Sequence, residues 1–583
     1  MSVACFLRTR TGLYKLSDFS ATPHAKVKAV ITILHNMRCI LLLFYSISVA
    51  VTKATICPIL GPVFPPPRNL HTFSPFQDAL ESLQIRLDEA FKTGNTTYGP
   101  VNPEDTYSIQ IFSTESGKLL DYHRRGSTIL GNRPIDGDSI YRIASVSKLL
   151  TVYLLLLEAG ESILAEKVIK YVPELKDAAH WNDITVGSLA GYLGDITTEP
   201  FNVGALPGGD IGVAFPGAFP PLEANETSGC IYGANGCSRE VFIQNLLDRP
   251  PVYLPNTTPA YSNAAFATLG LVLEAAANSS YGDALRNLLV EPLHLNGTTA
   301  SAPVDLSHAV IPGNASGWDI DISQVVAMGG IFSTPNDLAA IGQAILSSSQ
   351  LPGSTTRAWL KPTSFTSSLL GAVGRPWEIY RAVTNAEHNR VIDLYTKSGN
   401  FGGYGANLVL IPDFEVGFVI TMAGQRGTIA LPVASVIIDE LLPSLDEAAR
   451  VQADVAFAGT YTASNGLNST VRLTTKVGVP GLSIEEWISN GTDLRSEWLL
   501  SPKWFQMYPT NIVSEDGKAI SWRSTSIALP DTGSPFYACP SWVALDRPNY
   551  GIYGVDEFVF HLGDNGRAVG LEPRALKTVL KKV

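Results

Sequence analysis

The chain of 583 residues is long enough for three or four domains, or for one large unit with a smaller neighbour. Apolar residues make up 45% of the composition and charged residues 16%, which excludes a disordered or collagen-like chain. Lysine and arginine total 42 against 53 acidic residues, and the net charge of -11 does not provide the basic surface that nucleic-acid binding requires. We therefore expect a globular protein with a sizeable core and no nucleic-acid partner.

Residues 1–56 differ in character from the rest of the chain. An uncharged apolar run at Cys39–Val51 follows Met37 and Arg38, the pattern of a secretory signal peptide at about 37–54, and Met37 is a candidate for the true start. This run is shorter than the roughly 20 residues that span a bilayer. A signal anchor or a buried strand is the alternative. We expect a secreted, extracellular protein with no stable membrane span.

The cysteine content agrees with export. Two of the six cysteines fall within this leader, which leaves an even number in the mature chain. The remaining four are Cys57, Cys230, Cys237 and Cys539. We expect Cys230 to pair with Cys237 across a short turn and Cys57 to pair with Cys539; four buried thiols are the alternative. Eight N-x-S/T triplets predict a glycosylated surface. Their acceptors are Asn95, Asn225, Asn256, Asn278, Asn296, Asn314, Asn468 and Asn490.

The first half of the mature chain mixes helices and strands. After a Pro-rich arm at 57–74, apolar residues at three- and four-residue spacing predict an amphipathic helix from Pro75 to Lys92. Two strand-like runs around the turn Thr114–Gly117 predict a β-hairpin. The apolar run that follows Ser145 predicts a buried helix that ends at Gly160.

The second half of the chain predicts a sheet and then a separate domain. Near Arg390 the hydrophobic period changes to two, and Gly and Pro-Asp turns separate three strands of an antiparallel meander. A helix follows. We expect an α+β domain at 75–445, in which helices cover an antiparallel sheet, then a linker at 446–456 and a β-rich C-terminal domain at 457–583.

Ser145 and Lys148 form an S-x-x-K at the start of the buried helix. Residues three apart share a helix face, so the lysine amine can reach the serine hydroxyl. A buried lysine with a lowered pKa can take the serine proton, and the N–H of Ser145 points to where an oxyanion would form. The alternative is a polar helix start followed by a surface lysine.

Tyr261 and Asn263 form a Y-x-N directly before another helix. A tyrosine flanked by two ammonium groups can be held partly as phenolate, which would make Tyr261 a general base. The amide of Asn263 can orient a substrate carbonyl. The sequence therefore predicts that this segment faces the S-x-x-K.

Lys397, Ser398 and Gly399 form a K-S-G at the end of a strand, with Asn400 next. The lysine supplies charge, the hydroxyl can bind a substrate carboxylate or carbonyl, and the small glycine lets substrate lie along the strand edge. The triplet Lys92–Gly94 also spells K-T-G, but it closes a helix and is interpreted as its C-terminal stop.

The ordered set S-x-x-K, Y-x-N and K-S-G resembles the serine β-lactamase and penicillin-recognising peptidase superfamily, and the Y-x-N resembles its class C branch. Segments Met328–Gly342, Glu291–Thr299 and Asp183–Ile196 are similar to further family motifs, although Gly194-Asp195 replaces the family's Ser-Gly. The tail from Phe457 resembles the C-terminal domain of secreted fungal β-lactamase-like proteins. The resemblance implies a β-lactamase/transpeptidase-like fold with an all-helical subdomain.

The resemblance also implies catalytic roles. Ser145 would be the acylated nucleophile, and Lys148 and Tyr261 would form the base system, with Tyr261 protonating the leaving group. The N–H groups of Ser145 and Asn400 would form the oxyanion hole.

Lys397 would complete the catalytic set, and together with Asn263 it would position and polarise the substrate. The predicted substrate-binding residues are Asn263, Ser398, Gly399 and Asn400. We expect a secreted serine hydrolase that acts on a small amide or ester (β-lactam-like, D-peptide or small ester), without metal or cofactor. The alternatives are a transacylase or transesterase that passes the acyl group to an alcohol or amine, and a receptor that binds ligands without turnover.

Overall fold

The computed structural model describes residues 7–9, 12–14, 54–200, 217–220, 238–313, 317–322, 325–385, 390–424, 430–496, 504–530 and 534–583. It divides the chain into two units. The first is Met1–Thr55 with Ala528–Cys539, and the second is Ile56–Ile527 with Pro540–Val583. In the first unit, Leu7–Thr9 and Gly12–Tyr14 pair as antiparallel strands. Every element described below belongs to the second unit.

An eight-stranded antiparallel sheet forms the centre of this unit. In chain order its strands are β1 (Thr106–Ser113), β2 (Gly117–Arg124), β3 (Ser364–Phe365), β4 (Gly371–Val373), β5 (Glu378–Asn385), β6 (Arg390–Phe401), β7 (Tyr404–Ile411) and β8 (Val416–Ala423). The spatial order is β3-β4-β5-β6-β7-β8-β1-β2. The predicted hairpin (β1–β2) and meander (β6–β8) are confirmed.

Helices cover both faces of the sheet. They are α1 (Ser74–Thr93), α2 (Ser147–Ala159), α3 (Val186–Ala190), α4 (Arg239–Asp248), α5 (Asn263–Ala277), α6 (Tyr281–Leu285), α7 (Glu291–Leu293), α8 (Val326–Gly329), α9 (Pro335–Ser347), α10 (Gly353–Trp359) and α11 (Leu431–Phe457). Neighbouring residues of β7 pack into different cores, because successive side chains of a strand point to opposite faces. Leu408 packs with α2 and α5, and Val409 packs with α1 and α11.

Helix α1 confirms the amphipathic helix that the sequence predicted. Its apolar side is buried, and the helix ends at Gly94, whose φ of 77° suits a residue without a side chain. The K-T-G at Lys92–Gly94 is therefore the helix stop that the sequence indicated.

Residues 446–456, which the sequence predicted as a linker, are the second half of α11. The prediction missed that Ala449, Ala453 and Phe457 keep a helical spacing through this segment. These side chains are buried in the core that α11 shares with the C-terminal sheet, where Phe457 and Trp522 lie 5.1 Å apart between ring centroids. Burial of that apolar face keeps the helix continuous up to the C-terminal domain.

The C-terminal domain is β-rich, as predicted. Its strands are β9 (Gly459–Thr462), β10 (Thr470–Lys476), β11 (Val479–Ser489), β12 (Thr492–Asp493), β13 (Gln506–Val513), β14 (Ala519–Thr525), β15 (Glu557–Leu562), β16 (Ala568–Pro573) and β17 (Leu580–Lys582). They pair in the order β10-β9-β17-β16-β15-β14-β13-β11-β12, and a further β10–β11 pairing closes the sheet on itself.

Cys57 and Cys539 are disulfide-bonded, as the sequence predicted for both. Cys230, Cys237 and the apolar run at Cys39–Val51, which was predicted as a signal peptide, lie outside the described residues. The six described glycosylation acceptors are all exposed, and they are Asn95, Asn256, Asn278, Asn296, Asn468 and Asn490; Asn225 and Asn314 are not among the described residues. No helix in the described ranges is long and apolar enough to cross a membrane.

Candidate active site

The predicted nucleophile lies in a tight turn that leads into a buried helix. Ser145 is the middle residue of a 3-10 turn, Ala144–Val146, and α2 begins directly afterwards at Ser147. Ala144 has a φ of 47°, a left-handed conformation that residues with a side chain rarely adopt. The Ser147 hydroxyl donates to the Ala144 carbonyl at 2.7 Å and accepts from the N–H of Ile331 at 3.1 Å. These bonds hold the strained turn that carries Ser145.

Ser145 Oγ lies between two groups that can carry its proton. Lys148 Nζ is 3.0 Å away, and the Tyr261 hydroxyl is 2.8 Å away on a segment 116 residues further along the chain. Tyr261 precedes α5, whose first turn is capped by the Ser262 hydroxyl, which accepts from the N–H of Ala265 at 2.9 Å. The S-x-x-K and Y-x-N motifs therefore meet at one hydroxyl, as the sequence predicted.

Lys148 is fully buried on α2, and its direct partners are uncharged. Besides Ser145, its amine contacts Asn263 Oδ1 at 2.7 Å and the Met328 carbonyl oxygen. Burial, and then the positive charge of Lys397, lower the pKa of Lys148 well below its usual range, and more distant carboxylates oppose this only in part. The neutral amine is therefore favoured, and a neutral amine can accept the serine proton.

Tyr261 departs from the expectation of a partial phenolate. Two lysine amines do flank its ring, with Lys148 Nζ at 4.9 Å and Lys397 Nζ at 5.4 Å from the centroid. Desolvation of the phenol outweighs the effect of Lys397 and raises the pKa of Tyr261 above its usual value. A neutral Lys148 also removes one of the charges on which the expectation depended. Tyr261 thus keeps its proton and donates a hydrogen bond to Ser145.

Lys397 is as buried as Lys148 but has a carboxylate as its direct partner. Its amine forms an ion pair with Glu378 Oε1 and donates to the Ser398 carbonyl at 2.7 Å. Burial lowers the pKa of Lys397, but Glu378 and the neighbouring tyrosines together outweigh burial, and the net pKa is raised above the usual lysine value. Lys397 is therefore a fixed cation at the edge of the site.

Sequence reasoning did not identify Glu378, which binds both polar residues of the K-S-G. Its Oε2 accepts from the N–H of Ser398 at 2.9 Å and from the Ser398 hydroxyl at 2.7 Å. Glu378 is placed there because β5 and β6 pair with Glu378 opposite Thr396, next to Lys397. A charged residue between Trp377 and Ile379 is the signal that could have marked it, since both neighbours are buried.

Glu199 is a second carboxylate that the sequence did not single out. Its two oxygens accept from Asn263 Nδ2 at 2.9 and 3.0 Å. This contact turns the carbonyl oxygen of Asn263 toward Lys148. In the structure the Asn263 amide thus positions the lysine, a role additional to the predicted contact with substrate.

Gly399 lies where the strand touches the nucleophile turn. A Cβ at this position would be 2.4 Å from the Ile143 carbonyl oxygen and 2.7 Å from the Ser145 nitrogen. Any other residue would push the strand away from the turn. The glycine of the K-S-G is therefore required for close backbone approach, in addition to the space for substrate that the sequence suggested.

The predicted site residues meet at one open cavity of about 340 Å³. Lys148 lies beneath it, against Ser145. The residues that line the cavity are Ser145, Tyr261, Asn263, Glu378, Lys397, Ser398, Gly399, Asn400, Ala406, Ala430 and Leu431. Within the described part of the chain, no group of three His, Cys, Asp or Glu side chains could hold a metal ion.

A buried lysine, a serine hydroxyl and a tyrosine meet at one cavity, which places the protein in a class with a Ser-Lys-Tyr site. Comparison with known families gives the particular family. The model described as "Beta-lactamase" matches residues 106–430, and one described as "Beta-lactamase-like-like, C-terminal domain" matches residues 449–583. The chain belongs to the β-lactamase family.

Individual proteins are similar over most of the chain. A "Beta-lactamase-like protein" of Arthroderma benhamiae is 30% identical and covers 91% of this chain and 97% of its own length. A "Probable hydrolase M10" of a Phoma species is 26% identical and covers 71% of each chain. A solved β-lactamase/D-alanine carboxypeptidase from Pseudomonas syringae is 18% identical, with a TM-score of 0.47, and covers 62% of this chain and 99% of its own. The relatives therefore include proteins named as hydrolases.

Proposed function

We propose that this protein is a serine hydrolase that cleaves a small amide or ester through an acyl intermediate on Ser145. The observation that carries the proposal is the position of Ser145 Oγ, 3.0 Å from an amine whose pKa is lowered and 2.8 Å from a protonated phenol. A nucleophile needs a base within hydrogen-bond distance, and a leaving group needs a proton donor. This arrangement supplies both.

Acylation begins when the neutral amine of Lys148 takes the proton from Ser145 Oγ. The oxygen attacks the substrate carbonyl carbon, and the negative charge that develops on the carbonyl oxygen lies toward the N–H groups of Ser145 and Asn400. The Lys397 ammonium borders this site as half of an ion pair with Glu378, so the two N–H groups carry most of the stabilisation.

The leaving group departs with a proton from the Tyr261 hydroxyl, and Tyr261 regains one from the Lys148 ammonium. The products are an acyl-Ser145 ester and a free amine or alcohol. A water molecule then gives a proton to Lys148 and attacks the ester carbonyl carbon. The bond from that carbon to Ser145 Oγ breaks, Oγ takes the proton back from Lys148, and the acid is released. The proton count is restored after each cycle.

Secretion and glycosylation belong to the same proposal. The apolar run at Cys39–Val51, a disulfide-bonded Cys57 and Cys539, and the exposure of all six described N-x-S/T acceptors support an extracellular enzyme. The hydrolase name of the Phoma relative supports the reaction class.

Labelling with a fluorophosphonate tests the nucleophile. We expect a single covalent adduct on Ser145 by peptide mass spectrometry and none in Ser145→Ala. Ser162→Ala is the matched control, because Ser162 is an exposed serine that does not line the cavity. This substitution should leave labelling intact. An adduct that persists in Ser145→Ala, or no adduct in the wild type, would refute the proposal. Turnover of an ester with added alcohol separates hydrolysis from acyl transfer, which would yield the new ester.

A further inference from the structure

The donors that would recognise a substrate carboxylate already have a carboxylate bound. Glu378 accepts from the backbone N–H of Ser398, from the Ser398 hydroxyl and from the amine of Lys397. These three donors are the ones that the K-S-G presents along the cavity, and Glu378 itself lines the same cavity. A carboxylate arriving there would meet occupied donors and a negative charge.

The hydroxyl of Ser398 is still able to bind a different kind of group. Because its proton points to Glu378 Oε2 at 2.7 Å, its lone pairs are what it can offer to a ligand. A lone pair accepts from an N–H or O–H and repels a carboxylate. Because the Ser398 hydroxyl donates to Glu378, it can only accept a hydrogen bond from a ligand.

The remaining wall of the cavity offers no compensating charge. Among the described lining residues Lys397 is the one cation, and it is paired with Glu378. Ala406, Ala430 and Leu431 complete this wall, and Leu431 is 42% exposed. Uncharged groups suit such a surface, whereas an anion would lose water without gaining a partner.

We propose that Glu378 acts as a selectivity residue that excludes carboxylate-bearing substrates, so that the enzyme acts on uncharged esters or amides. The substrate group beside Ser398 is apolar or donates a hydrogen bond. This inference rests on the proposed acyl-Ser145 chemistry and names its substrate class. Unfavourable juxtaposition of like charges is a common source of such specificity.

Matched pairs of esters test the inference. One pair is phenyl acetate with either a carboxylate or a carboxamide at the meta position, so that the charge lies on the leaving group. The other pair is the mono-p-nitrophenyl ester of glutaric acid and the corresponding glutaramate, so that the charge lies on the acyl group. Acylation of Ser145 is measured for each ester by stopped-flow and mass spectrometry. We expect the wild type to prefer the carboxamide in at least one pair by about 10-fold or more, which is about 1.4 kcal/mol.

Glu378→Gln removes the charge while keeping the size of the side chain. We expect the preference for the carboxamide over the carboxylate to fall by about 10-fold, whatever happens to the absolute rate, because a ratio within one variant cancels general damage. Asp564→Asn is the matched control: it makes the same change in net charge on a side chain that is 94% exposed, and it should leave the ratio unchanged. Leu431→Arg, at an exposed position, should shift the ratio in the same direction as Glu378→Gln by adding a cation to the wall.

Each outcome separates the two proposals. If Ser145 is acylated equally by both members of each pair, the selectivity inference is wrong and the serine hydrolase remains. A preference that persists unchanged in both Glu378→Gln and Leu431→Arg also overturns it. If no ester acylates Ser145 and the fluorophosphonate does not label it, the proposed function itself fails.

Discussion

Two buried lysines in this site have pKa values shifted in opposite directions. Lys148 contacts a hydroxyl, an amide oxygen and a carbonyl oxygen, whereas Lys397 forms an ion pair with Glu378. Burial lowers the pKa of both, and only Lys397 has neighbours, Glu378 first among them, that together reverse the direction. Burial alone therefore does not set the direction of a lysine pKa in this site; the charged and polar groups around each amine also decide it.

The largest expected effect comes from exchanging each lysine for arginine. Lys148→Arg keeps a cation but loses the group that can become neutral, so acylation of Ser145 should fall about 1000-fold. Lys397→Arg keeps the charge beside Glu378 and should cost only about tenfold. Pre-steady-state acylation by a neutral ester measures both, and thermal unfolding checks that each variant is folded. Equal losses in the two variants would contradict the difference between the lysines.

Tyr261, whose ring lies between the two amines, should show an intermediate effect. Tyr261→Phe removes the proton donor and should slow acylation by a poor leaving group, such as an alkyl ester, about 100-fold. A p-nitrophenyl ester needs little protonation and should lose less than about tenfold. Tyr253→Phe, at an exposed tyrosine, is the control. If both esters lose the same factor, Tyr261 does not protonate the leaving group.

The smallest expected effect is on the pH profile. Protonated Lys148 cannot accept the serine proton, so kcat/KM for a neutral ester should rise with pH through a midpoint well below the usual lysine pKa of 10.5. The raised pKa of Lys397 keeps its charge, so the profile should stay flat to about pH 10. Glu378→Gln should add a decline on the alkaline side. A wild-type profile that already falls there would show that Lys397 is not held as a cation.

The sequence anticipated the elements that have a local signal. Helix α1, the hairpin, the meander and the buried helix α2 follow from hydrophobic spacing and turn residues, and all four are present. The segment at 446–456 was predicted as a linker between two domains, but it is helical. Ala449, Ala453 and Phe457 form a buried helix face because the C-terminal sheet covers them, and that contact is not visible in the sequence.

The site residues that were predicted also have a local signal in the sequence. Ser145, Lys148, Tyr261 and Lys397 could be chosen because each lies in a short motif with a chemical rationale. Glu378 was not chosen, because its one local signal is a charge between two apolar residues, and its contact with the K-S-G depends on strand pairing.

The sequence by itself determined which residues could carry the chemistry and the order in which they occur. Only the tertiary structure decided the direction in which their pKa values shift. The phenolate expected at Tyr261 required two charged lysines. In the folded protein Lys148 is buried without a direct carboxylate partner, which lowers its pKa, and burial raises the pKa of Tyr261. A pKa depends on burial and on the charges within a few ångströms, and both are properties of the packed molecule rather than of neighbouring residues in the chain.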